Sequence, residues 1–437
     1  MQIMRKMKDS GIEWIGEIPE GWEVAPLKRF AAIQTGNTPS KTSDANYYAA
    51  NGIPWIKPDN LGYSHPILTT SEYLTQEGAY HARIMPPNTV FVCCIGSLGK
   101  VGFSSTSCAC NQQINALVFN DLMFWKYGYY LTIAQESQYL FFGNGNVLQI
   151  INSTNQSNIV CVLPSLENQR SIVYCLDSIC SAIEVLISKT RSSIEEYKKL
   201  KQAVITQAVT KGVRCEREMK PTGFTRWSDI PFDWDLKRVK SCVASISSGL
   251  SAVTDDANSE ESGKFVLRTS AVSSGFFIPT EVKPVLKSTV NRLICPVEAD
   301  TLIVSRMNTA SMVGACAYVA NNHPNTFLSD KLWKIKFLPN YHTKYMWYAL
   351  NSVPAKSWFS ELATGASSSM QNISINDFTS NYLPIPAFSE QKEIADCLDA
   401  KCAEIDGLIA KKEQLVKELE SYKKSLIYEV VTGKREV

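Results

Sequence analysis

The stretch Leu163-Pro164-Ser165-Leu166-Glu167-Asn168-Gln169 returns in the second half of the chain as Ile385-Pro386-Ala387-Phe388-Ser389-Glu390-Gln391. The offset of 222 (391 − 169) then holds from residues 163–212 to residues 385–434. A long segment repeated at this distance predicts a chain with two-fold pseudo-symmetry, which suits a protein that grips a two-part linear target. The matched pairs include Ile172/Ile394, Asp177/Asp399, Cys180/Cys402, Ile205/Ile427 and Thr210/Thr432.

Both copies of this segment have the apolar periodicity of a long helix. A stripe of apolar residues spaced by threes and fours over several heptads indicates a coiled coil. The simplest partner for each helix is the other copy, and pseudo-symmetry favours an antiparallel pair that spaces two bodies. The predicted stripe contains Ile172, Leu176, Ile179, Ile183, Leu186, Thr190, Ile194, Tyr197 and Leu200 in the first copy, and Ile394, Leu398, Ile405, Leu408, Leu415, Leu419, Tyr422 and Leu426 in the second.

The duplication extends to the region before each helix. Ile18-Pro19-Glu20-Gly21-Trp22 recurs as Ile230-Pro231-Phe232-Asp233-Trp234, at an offset of 212 (230 − 18). Short apolar runs alternate with Gly, Ser, Asn and Pro, which predicts two mixed α/β bodies with strands at 89–95, 114–119, 265–267, 301–304 and 331–337. Residues 121–138 and 341–352 are predicted helices whose aromatic residues lie in the core. The predicted fold class is α+β, with two mixed α/β domains joined by an antiparallel coiled coil.

The bulk composition is that of a globular protein with more than one domain. The 437 residues are 45% hydrophobic and 20% charged, which predicts roughly two to four domains. A net charge of +2 is low for a protein that holds a polyanion alone, so partners or local clusters must supply positive charge. The run Lys211, Arg214, Arg217 and Lys220 is interpreted as a solvated linker, with contacts to a phosphate backbone as the alternative.

The cysteines point to a reducing cytoplasm. Their number, 13, is odd, and the N-terminus lacks the apolar core of an export signal. Cys93-Cys94 and Cys108-x-Cys110 lack the spacing of zinc ligands, so buried thiols are expected there. The sequence contains no run of eighteen or more apolar residues, so no membrane span is predicted.

Familiar catalytic motifs are missing from the sequence. It contains no phosphate-binding P-loop, no Gly-x-Ser-x-Gly elbow and no His-Glu-x-x-His helix. Gly143-Asn144-Gly145 has Leu148 where a dinucleotide-binding loop needs its third glycine. Met85-Pro86-Pro87-Asn88 does not fit the Asn/Asp-Pro-Pro-Tyr/Phe tetrapeptide of amino-methyltransferases. These observations favour a chain with neither a catalytic nor a metal site of its own.

Several motifs, in order along the whole chain, resemble the specificity (S) subunits of type I restriction–modification systems. The resemblance rests on 14–24 (Trp14-Ile15-Gly16-Glu17-Ile18-Pro19-Glu20-Gly21-Trp22-Glu23-Val24), on Thr35-Gly36-Asn37-Thr38-Pro39-Ser40, on Pro386-x-x-x-Glu390-Gln391-x-x-Ile394-Ala395, and on Val209-Thr210-Lys211-Gly212 and Val431-Thr432-Gly433. One departure is Ser247-Ser248-Gly249, which lies one residue out of register with Thr35-Gly36-Asn37.

The resemblance implies a division of labour among subunits. Residues 1–163 and 214–385 would be target recognition domains for the two halves of a double-stranded DNA site. Residues 164–213 and 386–437 would be the central and distal helical regions, which dock two modification (methyltransferase) subunits, with restriction (translocase/nuclease) subunits in the larger complex. S-adenosylmethionine, ATP and Mg²⁺ would bind to those partners and no cofactor to this chain, which would be a non-catalytic cytoplasmic protein. Adenine methylation needs base flipping by the subunit that holds the cofactor, which agrees with this division.

Polar loops between strands are the first candidates for DNA contacts, because Arg, Lys, Asn, Gln, Ser and Thr read base edges. Ordinary turn chemistry is the alternative for each of these loops. Arg306 and Asn308 stand out, since Gly96-Ser97 at the analogous place of the first body suggests that the position varies with the target. The predicted DNA-binding residues are Thr35, Gly36, Asn37, Thr38, Ser40, Lys41, Lys57, Asn60, Asn144, Asn146 and Gln149 in the first body, and Ser248, Gly249, Arg268, Thr269, Arg306, Asn308, Ser367, Ser368 and Gln371 in the second.

Two other functions remain open from the residues alone. Scattered side chains could converge into an unrecognised site of a stand-alone DNA methyltransferase or nuclease. A coiled-coil scaffold whose bodies bind carbohydrate or protein is the other possibility.

Overall fold

The computed structural model describes residues 5–40, 45–62, 65–145, 149–251, 261–367 and 370–437. The chain divides into two compact units, and the division crosses both long helices. Unit 1 contains Met1–Ser192 and Lys412–Val437, and unit 2 contains Ser193–Lys411. Each unit therefore combines one body with a part of each long helix.

Unit 1 is built on a four-stranded antiparallel sheet with the strand order β4-β11-β8-β9. A second sheet has the order β10-β6-β7-β5, and β12 pairs with β3 just before the first long helix. The strands are β1 Met7–Asp9, β2 Glu17–Pro19, β3 Glu23–Pro26, β4 Ala31–Thr35, β5 Tyr48–Ala49, β6 Ile53–Ile56, β7 Tyr73–Leu74, β8 Thr89–Cys93, β9 Val101–Ser104, β10 Ala109–Cys110, β11 Ile114–Phe119 and β12 Val160–Leu163. The helices are α1 Gln76–Tyr80, α2 Trp125–Ala134, α3 Glu136–Phe142, α4 Ser153–Ser157 and α5 Leu166–Lys211.

Unit 2 repeats this plan with the sheet order β16-β24-β20-β22 and a second sheet β18-β17-β23-β19. An additional small sheet has the order β21-β26-β25. The strands are β13 Met219–Pro221, β14 Asp229–Pro231, β15 Asp235–Arg238, β16 Val243–Ser248, β17 Glu261–Leu267, β18 Val282–Leu286, β19 Pro296–Val297, β20 Thr301–Ser305, β21 Met307–Asn308, β22 Cys316–Val319, β23 His323–Phe327, β24 Leu332–Phe337, β25 Thr364–Ser367, β26 Met370–Asn372 and β27 Tyr382–Ile385. The helices are α6 Val239–Cys242, α7 Ser270–Ser273, α8 Thr343–Asn351, α9 Val353–Leu362, α10 Ile375–Ser380 and α11 Phe388–Val431.

The aromatic residues of α2 and α8 lie in the core, as predicted. Tyr127 and Tyr345 are fully buried, and each donates a hydrogen bond to the strand that precedes a long helix, at Val162 O (3.1 Å) and Pro384 O (2.6 Å). The predicted helix at 121–138 is instead two helices, α2 and α3. A hydroxyl this deep must have a partner, so each tyrosine fixes its helix to the sheet below.

The two long helices run antiparallel within each unit. In unit 1, Glu184 pairs with Lys423 and Arg191 with Glu420. In unit 2, Lys201 pairs with Asp406, at 2.6 Å. The residue numbers of the partners in α11 therefore decrease as those in α5 increase, which confirms the predicted antiparallel arrangement.

Most of the predicted apolar stripe is buried or half-buried, including the buried Ile172, Leu176 and Ile183, but it is displaced by one residue at a few positions. Leu186 and Leu200 are 52% and 48% exposed, whereas Ile187 and Lys201 beside them are buried. Lys201 tolerates this position because its amine is paired with Asp406 and lies 4.6 Å from the centroid of the Phe276 ring. The same displacement occurs in α11, where Leu415 and Tyr422 are exposed and Ile409 and Val416 are buried.

Helix α5 is long and apolar enough, by length and composition, to cross a membrane. One third of its most apolar stretch is buried inside the protein. Ile172, Leu176 and Ile183 are among its buried residues, and a helix that packs within a globular protein passes the same test.

The charged segment after α5 is not a solvated linker. The Arg217 guanidinium pairs with Glu390, which is 3% exposed, and with Asp233 at 2.8 Å. The buried Trp234 indole donates to the same Glu390 carboxylate, at 3.2 Å, and Arg214 pairs with Glu393. These contacts attach the segment to the start of α11 and neutralise Arg214 and Arg217.

The cysteines of the first body are buried thiols. Burial raises the pKa of Cys94 to about 12 and that of Cys108 to about 11. Both groups therefore stay protonated at neutral pH, whereas a metal ligand must be a thiolate. Among the described residues, no group of three or more His, Cys, Asp or Glu side chains is placed to hold a metal ion.

The repeated Gln and Asp residues fasten each body to its own helix. Gln169 accepts from Phe124 N (2.7 Å) and donates to Pro164 O (3.0 Å). Asp177, about two turns further along α5, accepts from Lys126 Nζ (2.5 Å) and Tyr130 OH (2.8 Å). The corresponding contacts of unit 2 join Gln391 to His342 N and Pro386 O, and Asp399 to Lys344 and Tyr348.

Candidate nucleic-acid interface

In unit 1 the strands β4 and β8 end at the same edge of the main sheet. Asn115 on the strand between them pairs with Thr35 on one side and Val92 on the other. The loops that follow both strands therefore emerge together. We call this the unit 1 edge, formed by residues 35–40, 95–97, 112–113, 144–145 and 149–150.

A buried polar network lies directly beneath the unit 1 edge. Thr35 Oγ1 donates to Asn115 Oδ1 (2.7 Å), and Asn115 Nδ2 donates to Gln156 Oε1 (2.6 Å). Gln156 Nε2 then donates to Tyr139 OH (3.4 Å), and burial raises the pKa of this hydroxyl. Asn115, Gln156 and Tyr139 are at most 1% exposed. A satisfied buried network is rigid and specific in geometry, so it fixes the loop above it.

The loop 35–40 is held in shape by hydrogen bonds and by close packing against its neighbours. The Gly36 amide donates to Ile114 O, and a Cβ at Gly36 would lie 2.2 Å from Cys110 O. Asn37 uses its amide group to bond His81 O (2.7 Å) and Arg83 N (2.8 Å). Gly36 and Asn37 therefore shape the loop, while the exposed side chains of Thr38 and Ser40 face outward.

Asn144 and Gln149 also lie at the unit 1 edge. Asn144 forms a β-bridge with Ile150, which also bridges Ile95, and the Gly96 amide donates to Gln149 O (3.0 Å). Asn144 and Gln149 are exposed. Two regions of the sequence predicted to contact DNA are therefore brought together.

In unit 2 the equivalent edge lies at the ends of β16 and β20. Trp333 pairs with Ser248 and Val304, as Asn115 pairs with Thr35 and Val92. We call this the unit 2 edge, formed by residues 248–251, 305–308, 329–331, 364–367 and 370–372. Gly249 is closely packed there, since a Cβ would lie 1.7 Å from Leu328 O.

A β-bulge explains why the loop of unit 2 is one residue out of register. The pairing of β16 with β24 shifts between Val243 and Ser245, whereas β4 pairs with β11 without interruption. The extra residue, Ala244, moves every later position by one. Gly249 therefore corresponds to Gly36, and Ser248, which donates to Leu332 O at 3.2 Å, corresponds to Thr35.

Arg306, Asn308 and Gln371 come together at the unit 2 edge. Asn308 pairs with Gln371 in the small sheet. Asn308 Nδ2 donates to Ser273 Oγ (2.8 Å), so this side chain shapes the edge from within. Arg306 is half-buried over the Trp333 ring, with Nε 3.4 Å from Asn372 Oδ1.

The floor of the unit 2 edge is aromatic rather than polar. Trp333 contacts Phe378 edge-on at 5.9 Å between ring centroids, and Phe378 stacks on Phe359 at 4.8 Å. Phe378 takes the place of Gln156 at the offset of 222. The two edges thus have the same arrangement of strands but differ in the side chains that lie beneath the loops and on them.

The remaining predicted residues follow strands of the second sheets. Lys57 is half-buried, pairs with Glu72 (3.0 Å) and donates its amide to Asn60 Oδ1 (2.9 Å). Arg268 is exposed after β17, and Thr269 O accepts from Ser273 Oγ (2.8 Å) beside Asn308. Lys41, Asn146 and Ser368 lie outside the described residues, and Ser367 is described only as the end of β25.

Three exposed polar residues at or beside these edges are not among the residues predicted from the sequence. Gln112 lies in the unit 1 edge, Arg83 contacts that edge at Thr35 O, and Lys331 lies in the unit 2 edge. Gln112 accepts from Thr38 Oγ1, and Lys331 O accepts from Arg306 N (3.1 Å). Their neighbours are distant in sequence, so no local motif marks them.

Each edge offers what base recognition requires. Exposed Thr, Ser, Asn, Gln, Arg and Lys side chains rise from loops held by buried contacts, and these are the residue types that bond base edges and phosphates. Neither edge, in its described part, contains a group of three or more His, Cys, Asp or Glu side chains placed to hold a metal ion.

Comparison with known proteins agrees with this geometry. The chain is similar to the type I restriction enzyme HindI specificity subunit of Haemophilus influenzae, with 28% identity over 189 residues, 42% of this chain and 39% of that protein. It is similar over 435 residues, 96% of this chain and 95% of the relative, to the putative type I restriction enzyme MjaX specificity subunit of Methanocaldococcus jannaschii, with 25% identity. The fold resembles a solved chain described as "Structural basis underlying complex assembly and conformational transition of the type I R-M system", with a TM-score of 0.70, 14% identity, and coverage of 96% of this chain and 99% of that one.

The family described as type I restriction modification DNA specificity domain matches residues 19–196 and again residues 231–418. Each match contains one body and the edge at the end of its main sheet. Together the matches cover most of the sequence, so the chain belongs to the type I restriction modification DNA specificity domain family and contains that domain twice.

Proposed function

We propose that this chain is the specificity subunit of a type I restriction–modification complex and reads a bipartite DNA target, one half with each body. The observation that carries the proposal is the pair of edges, alike in frame and different in side chains. A repeat that kept one specificity would have no reason to replace Asn115 and Gln156 by Trp333 and Phe378.

The target recognition domains in this proposal are residues 1–163 and 214–385, with helical regions at 164–213 and 386–437. DNA contacts come from the exposed side chains of the two edges, including Thr38, Ser40, Asn144 and Gln149 in unit 1. Arg306, Gln371 and the loops after β6 and β17 complete the set. Gly36, Asn37, Gly249 and Asn308 act indirectly, by holding the loops in shape.

The partners are two modification subunits and, in the larger complex, restriction subunits. Leu186, Leu200, Leu415 and Tyr422 are 44% to 52% exposed on the long helices, which supports docking there, because apolar residues that a coiled coil leaves exposed favour a partner. A net charge of +2 is too small to hold DNA firmly alone, so the partners supply phosphate contacts.

The chemistry in this proposal belongs to the partners. S-adenosylmethionine binds to the modification subunits, and ATP and Mg²⁺ to the restriction subunits, while this chain has no catalytic role. The complex acts in the cytoplasm, where the DNA is.

The test is methyl transfer from labelled S-adenosylmethionine to DNA. The chain with its modification subunits is expected to label one bipartite sequence, and the chain alone none. Deleting residues 225–385 should abolish sequence-specific labelling. Methyl transfer by the chain alone would instead identify a methyltransferase, and unchanged specificity after the deletion would favour a scaffold.

A further inference from the structure

Arg83 occupies a special position at the unit 1 edge. Its Nη1 donates to Thr35 O at 2.6 Å, at the last residue of β4, and its backbone amide donates to Asn37 Oδ1 at 2.8 Å. The side chain is nonetheless exposed. One nitrogen of the guanidinium is therefore anchored to the end of β4, while the side chain as a whole is exposed.

The anchored geometry leaves donors for a ligand. A guanidinium has five N–H donors in a rigid fork, of which the Thr35 carbonyl takes one. No carboxylate among the described residues is paired with this cation. Nε and Nη2 remain as two parallel donors, the pattern that matches the O6 and N7 acceptors of guanine in the major groove.

Comparison of the two bodies shows that this position is not part of the common frame. The offset of 212 that relates Thr89 to Thr301 relates Arg83 to Cys295. A thiol is a weak donor and cannot bond two acceptors as a guanidinium does. Of the two residues that anchor Arg83, Thr35 is matched in unit 2 by Ser248, whereas Asn37 corresponds to Leu250. The end of the strand is therefore kept, while the exposed group and one of its anchors change.

We propose that Arg83 is a specificity-determining residue that reads one guanine in the half of the DNA target contacted by unit 1. The inference rests on the proposed function, since it requires that the chain guides methylation of a bipartite site. The bond to Thr35 O restricts the guanidinium before DNA arrives, which lowers the entropy lost on binding.

The test uses the full chain with its modification subunits on a DNA library randomised over the target. Arg83→Ala and Arg83→Lys should each reduce discrimination at one G·C pair of one half-site, by roughly 10- to 100-fold. The other half-site should be unchanged, which also shows that the variants are folded. Arg29→Ala is the matched control, because Arg29 is an exposed arginine of unit 1 that precedes β4, at the opposite end of that strand.

The possible outcomes separate the inference from its basis. Unchanged preference at every position of both half-sites would overturn it. So would a uniform loss across all sequences with a shallower salt dependence, which is the behaviour of a phosphate contact. If the wild-type complex itself selects no bipartite sequence, the proposed function fails and the role of Arg83 with it.

Discussion

Each edge is shaped by a few individual side chains that form hydrogen bonds within the protein. Asn37 and Asn308 were both predicted to contact DNA, yet their amides bond the protein itself. Loops built in this way lose little freedom on binding, and that favours a selective reader.

Gly249 and Gly36 are expected to tolerate no side chain. A Cβ at Gly249 would lie 1.7 Å from Leu328 O, and one at Gly36 would lie 2.2 Å from Cys110 O. Because both neighbours are backbone atoms, we expect Gly249→Ala to destabilise the chain by about 1–3 kcal/mol and to impair recognition of the second half-site only. Chemical unfolding and methylation of a target library measure the two effects.

The control for this substitution is Gly407→Ala in α11, where nothing lies within 4 Å of the added carbon. It should stabilise the helix by roughly 1 kcal/mol. A Gly249→Ala variant as stable and selective as the wild type would show that the unit 2 edge is not tightly packed.

His342 should make unit 2 sensitive to acid. Burial lowers its pKa from the ordinary 6.5, although Asp300 and Asp396 oppose the effect, and its buried Nδ1 lacks a hydrogen-bond partner among the described residues. Since the unfolded chain then binds more protons, stability should fall as the pH drops through about 6.5. His342→Phe should flatten this dependence, measured by denaturant unfolding between pH 5 and 8.

Phenylalanine is the substitution of choice because Phe124 holds the corresponding place in unit 1, where its amide bonds Gln169 as that of His342 bonds Gln391. His323→Phe in the same unit is the control and should keep the slope. A slope that survives His342→Phe would assign the acid sensitivity to another group.

At the scale of the element, Asp177 and Asp399 join α2 and α8 to the long helices through a lysine and a tyrosine each. Hydrogen bonding to Asp399 raises the pKa of Lys344, which keeps that cation charged. The carboxylates are about a third exposed, so we expect Asp399→Asn to cost about 1–2 kcal/mol.

Hydrogen exchange can locate the effect of Asp399→Asn. Faster exchange is expected in α8 and the adjoining part of α11, and no change in unit 1. Asp177→Asn should do the converse, so the two variants control each other. Equal changes in both units would mean that these contacts do not fasten each body separately.

The long helices and most strands could be predicted from sequence because periodicity is a local signal. Most of the buried face of α5 could also be predicted, but not the position at Leu186 and Ile187, since both suit an apolar seam equally well. Nor could the burial of Lys201, which rests on its partner Asp406. The loops of the edges could be located by their Gly, Ser and Asn residues. Arg83 could not, because its bond to Thr35 joins residues 48 positions apart.

At the scale of the whole molecule, the repeat makes the bodies interchangeable in principle. Trp22 and Trp234 lie near the start of each body, and Pro164 and Pro386 follow it. The fastening residues Gln169 and Asp177 match Gln391 and Asp399 in both identity and contacts. A body moved from one position to the other should therefore find the partners it already uses.

The most direct measurement is the methylated motif of a chain in which residues 23–163 are replaced by a second copy of residues 235–385. With its modification subunits, this variant should methylate a target whose two halves are alike and equal to the second half of the wild-type target. An unchanged motif, or one unrelated to the second half, would contradict the account in which each body reads its own half of the DNA.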